Sequence, residues 1–145
     1  MTEQEHRILV VDDDDAIRTL LFTVLRRRGF SVDTARDGAA ALDRLGHCNY
    51  SVILLDLMMP RLNGWEVLDN LATRHPAQRP LVLVLTAGIE PRTFPPDLVA
   101  GVIHKPFDVE LIADTVAVCL TTLQKREQFE ECPEPESRPN EVRPS

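Results

Sequence analysis

At 145 residues the chain has the length of one ordinary domain, and its formal net charge of -7 argues against a surface that grips nucleic acid or anionic lipid. Its 43% hydrophobic and 27% charged residues are the balance of a globular protein with a proper core. Cys48, Cys119 and Cys132 make no CxxC spacing, and neither a charged-then-apolar leader nor a membrane-length apolar run is present, so the expectation is a reducing cytoplasm and no membrane.

In chain order, short aliphatic runs alternate with stretches of helical period, the pattern of an α/β sheet with parallel strands. Arg7 to Val11 reads as the first strand. Asp14 to Arg28 follows as a helix, with Ile17, Leu20, Leu21, Val24 and Leu25 at helical spacing and Gly29 as its stop behind a basic last turn. Ser31 to Ala35 is a second strand, and Gly38 to Leu45 a short helix capped by Asp37. Ser51 to Asp56 and Leu81 to Thr86 are apolar almost throughout, as strands covered on both faces are, so they belong in the middle of the sheet. Between them Gly64 to Thr73 carries Val67, Leu68 and Leu71 on one face before Pro76 closes it.

Ala87 to Gly101 holds Pro91, Pro95 and Pro96, which remove amide donors and disfavour helix, so mostly loop is expected. A short strand follows at Gly101 to His104. Asp108 to Gln124 is the last helix, with Asp108 as cap and Leu111, Ile112, Thr115, Val116, Cys119, Leu120 and Leu123 on one stripe. From Lys125 to Ser145 the apolar period fades and prolines gather among mixed charges. The expected organisation is therefore one domain over 1–124 and a disordered tail over 125–145.

Parallel α/β sheets take their ligands outside the carboxyl ends of the strands. Asp12 and Asp13 follow the first strand, Asp56 ends the third, Thr86 ends the fourth and Lys105 follows the fifth. Each alone has an ordinary explanation: a strand-end cap, a hydroxyl bonded to local backbone, a solvated lysine. Their convergence on one edge is what the ordinary explanations leave out. Crowded carboxylates repel one another unless a cation collects there, and an oxygen-lined site with a hydroxyl and an ammonium suits Mg2+ and a phosphoryl group. Asp14 and Asp15 read instead as the cap and first turn of the helix.

The segments "ILVVDDD", "VILLDLMMPRLNG", "LVLVLTA" and "HKPF", in that order, resemble the receiver domains of two-component response regulators over roughly Arg7 to Leu123. The resemblance implies a flavodoxin-like (βα)5 three-layer sandwich, with a five-stranded parallel sheet in the order 2-1-3-4-5. It also implies that Asp56 is phosphorylated by the phosphohistidine of a sensor histidine kinase or a histidine phosphotransfer protein. Asp12, Asp13, Asp56 and the carbonyl of Met58 would hold Mg2+, Thr86 and Lys105 would contact the phosphoryl oxygens, and Lys105–Pro106 would be a cis peptide. Chemistry of its own would stop at self-catalysed transfer and autodephosphorylation.

Two departures stand out. Many receivers carry a Tyr or Phe switch three positions before the lysine, where this chain has Val102, whose χ1 is stiff. The interval from Thr86 to Lys105 is short, so the family's fourth helix is expected to be short or irregular. That helix belongs to the usual output and homodimer face. With no second domain after Leu123, the reading is a single-domain receiver that works through a downstream output protein, a phosphorelay step or as a phosphate sink. Rival readings are a haloacid-dehalogenase-type phosphatase, which wants a second carboxylate where Met58 stands, and a flavodoxin, whose phosphate "DDDD" would repel. A receiver-like interaction domain that works unphosphorylated is the third.

Overall fold

The computed structural model describes residues 6–59, 63–88, 94 and 96–131, with side chains to residue 123. Its elements are β1 (Arg7–Val11), α1 (Asp15–Arg27), β2 (Ser31–Ala35), α2 (Gly38–His47), β3 (Val52–Asp56), α3 (Gly64–Ala72), a 3-10 turn (Pro76–Gln78), β4 (Leu81–Thr86), β5 (Val99–His104) and α4 (Val109–Glu131). All strand pairings are parallel and the sheet order is β2-β1-β3-β4-β5.

Side-chain alternation along the strands divides the core in two. Ile8, Val10, Val52, Leu54, Leu83 and Leu85 face α1 and α4, where they meet Leu21, Leu25, Ile112 and Val116. Leu9, Val11, Ile53, Leu55, Val82 and Val84 face α2 and α3, meeting Ala41, Leu45, Val67 and Leu71. Three layers result, and every residue of β3 is buried because helices cover both of its faces. Each large side chain wholly withdrawn from water there contributes about 1.5–3 kcal/mol.

Local chemistry starts and stops the helices. Asp14 Oδ1 accepts from the amides of Ala16 and Ile17, Asp37 from that of Ala40 and Asp108 from that of Glu110. Asn63 and Glu66 close a reciprocal capping box at the start of α3. Gly29 ends α1 with φ +91, a conformation that costs a residue bearing a Cβ.

Several sequence expectations shift. Leu20 and Leu111, assigned to buried stripes, are 48% and 63% exposed, while Ala113, on the other flank of Ile112, is buried. Both leucines sit one position off stripes centred on Leu21–Val24–Leu25 and Ile112–Val116–Leu120, so helical rotation turns them outward. β5 begins at Val99 rather than Gly101, extending past a register shift between Val82 and Leu83. α4 continues through Lys125 to Glu131, where a tail was expected, since residues of good helix propensity carry it on without an apolar period. The rest of that tail, including Cys132, and Pro91 and Pro95 in the loop before β5, lie outside the described residues. Among the described residues between β4 and β5 there is a turn at 96–98 and no helix.

Candidate functional site

Parallel register brings the acidic residues together. Val11 lies opposite Leu55, so the next residues on the two strands, Asp12 and Asp56, emerge side by side at the carboxyl edge. Asp56 itself pairs with Leu85, and Thr86, the next residue of β4, pairs with His104. The Lys105 amide donates to the Thr86 carbonyl at 2.7 Å, which fixes the lysine beside the threonine. The Lys105–Pro106 peptide is cis.

One carboxylate oxygen each from Asp12, Asp13 and Asp56 lies within 4.8 Å of the others. Asp12 and Asp56 are buried and Asp13 is exposed, so the cluster has a closed floor and an open side. Lys105 Nζ stands 3.4 Å from Asp12 Oδ2 and 3.5 Å from Asp56 Oδ2, a cation shared between two carboxyl groups. Asp12 Oδ1 accepts from the Asp14 amide at 2.9 Å and Asp56 Oδ1 from the Met58 amide at 3.1 Å. Asp12 Oδ2 has no hydrogen-bond donor among the described residues although it is wholly buried. Its close cation, Lys105 Nζ at 3.4 Å, is too poorly placed to donate a hydrogen bond, so a metal ion with hard oxygen preference would find a lone pair to use there.

Burial pushes the Asp56 carboxyl up to about 7, and the neighbouring charge of Asp12 adds to it. Lys105 and the Met58 amide pull the other way, and a hydrogen-bonding contact with Asp13 raises it further. Thr86 is buried, with its Oγ1 accepting from the Gly88 amide at 3.4 Å. The Met58 side chain points to solvent, 70% exposed, so what it offers the site is backbone. Val102 lies on the edge strand beside Val84, away from this cluster, and is partly exposed.

Residues 8–117 match the family described as the response regulator receiver domain. The chain belongs to that family. The transcriptional regulatory protein CpxR homolog of Haemophilus influenzae is 39% identical to this receiver over 115 residues, covering 77% of the chain and 49% of that protein. The chain thus spans about half the length of that curated relative. A CheY-like receiver domain protein from Methanospirillum hungatei is 27% identical, with a TM-score of 0.73 over 84% of this chain and 99% of its own. The response regulator TrrA of Thermotoga maritima, solved in complex with Mg(2+)-BeF, is 30% identical, with a TM-score of 0.68 over 79% of this receiver and 98% of that chain.

Sequence reasoning passed over three features that shape the receiver's site. Arg18 donates to the Asp12 carbonyl at 2.9 Å from within α1, and also pairs with Asp15. A Cβ added to Gly64 would lie 2.6 Å from the Asp56 carbonyl oxygen and the Leu57 Cα, so the start of α3 presses on the backbone behind Asp56. The Asn63-x-x-Glu66 box that fixes this start was legible as a capping signature. Beside Lys105, finally, an apolar cleft of about 530 Å³ is lined by Ile17, Leu20, Ala87, Pro106, Phe107 and Val109.

Proposed function

We propose that this receiver takes a phosphoryl group onto Asp56 from the phosphohistidine of a sensor histidine kinase or a histidine phosphotransfer protein. The observation that carries the reading is the convergence of Asp12, Asp13 and Asp56 within 4.8 Å, where the buried Oδ2 of Asp12 accepts no hydrogen bond among the described residues and shares Lys105 with Asp56. Asp12, Asp13, Asp56 and the Met58 carbonyl would hold Mg2+. Bound there, the ion neutralises the acids and the charge on the transferring group.

An Asp56 carboxylate oxygen forms the new bond to phosphorus while the phosphorus–nitrogen bond of the donor, whose ring is protonated on its other nitrogen, breaks, leaving neutral imidazole and an acyl phosphate. Lys105 offsets the charge on the phosphoryl oxygens, and the Thr86 hydroxyl donates to them. Attack of water on phosphorus reverses the state, releasing inorganic phosphate and restoring the carboxylate. Catalysis is positioning and charge compensation alone, so the chain is a self-modifying receiver rather than an enzyme on a separate substrate. The apolar cleft beside Lys105 supports a protein donor, since a phosphohistidine must be carried in by a surface that seals against the receiver. Output passes to a downstream protein partner in the cytoplasm.

The test is intact mass after incubation with a small acyl-phosphate donor, with and without Mg2+. The expected result is a Mg2+-dependent gain of one phosphoryl group, removed by hydroxylamine and absent from Asp56→Asn. Unchanged mass in the wild type overturns the reading and favours a receiver that works unphosphorylated, which Val102, standing where a switching ring would be, also suits.

A further inference from the structure

A second concavity lies at the opposite edge of the sheet from β5, where α1 and α2 flank the outer strand β2. It is a cleft of about 530 Å³ bounded by Arg18, Arg36, Asp43, Arg44 and His47, with Ala35 and Ala40 among its small side chains. Three guanidiniums meeting one carboxylate make it a basic hollow in a chain of net charge -7. Asp43, the single acid, lies 3.8 Å from the His47 ring nitrogen. Among the described residues, Arg36 and Arg44 have no carboxylate within ion-pair distance, although acids outnumber bases in the chain. Arg18 spends donors on Asp15 and the Asp12 carbonyl, yet a guanidinium carries five N–H groups and has others to offer.

Guanidiniums lining one cleft repel each other where no carboxylate pairs with them, as for Arg36 and Arg44, and the planar fork of each matches phosphate oxygens two at a time. The hollow is within the roughly 300–1,000 Å³ range of pockets for small ligands, so its size favours a compact molecule over a protein surface. We propose that it is a binding site for a small molecule carrying two or more phosphate charges, distinct from the phosphoacceptor edge. Its occupant would touch the support of that edge, because the Ala35 carbonyl accepts from the Asp12 amide at 3.2 Å while Arg18 donates to the Asp12 carbonyl.

Inorganic pyrophosphate in metal-free buffer is the probe, titrated calorimetrically into the whole chain at low salt. Arg36 and Arg44 are both exposed, so the double variant Arg36→Ser/Arg44→Ser keeps the fold, as circular dichroism would verify. The expected result is saturable binding weakened at least tenfold in that variant. It should be retained in Lys105→Ala and in Arg26→Ser/Arg27→Ser, which removes the same charge at exposed positions elsewhere on α1. Equal weakening in both double variants would mean diffuse attraction, loss in Lys105→Ala alone would mean binding at the phosphoacceptor edge, and no binding at millimolar probe would mean no site. Each of these overturns the proposal.

Discussion

Asp56 holds its proton against the ordinary carboxyl range because water cannot reach it and Asp12 lies alongside. With its pKa lifted from 3.8 to about 7, the folded chain without metal keeps a proton that the unfolded chain has released between those values. Stability therefore falls as pH rises through that window. Asp56→Asn removes the penalty, and at pH 8 in a chelator it should raise stability by about 1–3 kcal/mol, the usual scale for an unsatisfied buried group. At pH 5, where the native carboxyl is already protonated, the gain should shrink. Thermal denaturation of both proteins at the two pH values checks this, and an equal gap at both would contradict the role of ionisation. Thr86 and Lys105 were legible at this scale because each stands at a strand end, where position alone assigns an edge. Asp12 Oδ2 was not, since whether an oxygen lacks a donor depends on neighbours brought in by the fold.

Elements were read well where period and punctuation agreed. β1, β2 and β4 fall where the aliphatic runs put them, and Gly29 stops α1 with the backbone it alone adopts cheaply. The faces of α1 and α4 were read less well. An apolar residue at the rim of a stripe scores like one at its centre, and only packing separates Leu20 and Leu111 from their buried neighbours. Leu20 has a further interest because it borders the cleft beside Lys105. Leu20→Glu should leave modification by a small acyl-phosphate donor within about twofold of wild type, as exposed substitutions perturb folds little. Transfer from a phosphorylated donor protein should slow at least tenfold, and parallel slowing of both reactions would refute a docking role. Gly64 makes a separate case. Gly64→Ala must displace the backbone behind Asp56 and should cost about 1–3 kcal/mol, as overpacking does. Urea denaturation measures the loss, and the same variant should slow small-donor modification because the acceptor carboxylate moves.

On the scale of the whole molecule, a site built from β1, β3, β4 and the residue after β5 exists only when the sheet is complete. Metal uptake by these acids would then be linked to folding, and an ion at a hundred times its dissociation constant should stabilise the chain by about 2.7 kcal/mol. Thermal midpoints should rise with Mg2+ in the wild type and stay flat in Asp12→Ala; a rise of equal size in that variant would place the ion elsewhere. The last helix gives the molecule a second global property. Arg28 of the α1 cap grips Glu110 at 3.0 Å and Asp114 at 2.9 Å, both within the opening turns of α4. Beyond that grip the rod runs on, its 23 residues spanning about 34 Å against the ~20 Å of a six-residue strand. Ile112, Val116 and Leu120 seat this rod in the same apolar layer as Val52 and Leu54 of β3. Its root therefore cannot tilt without repacking the side chains that lie directly behind the strand ending in Asp56.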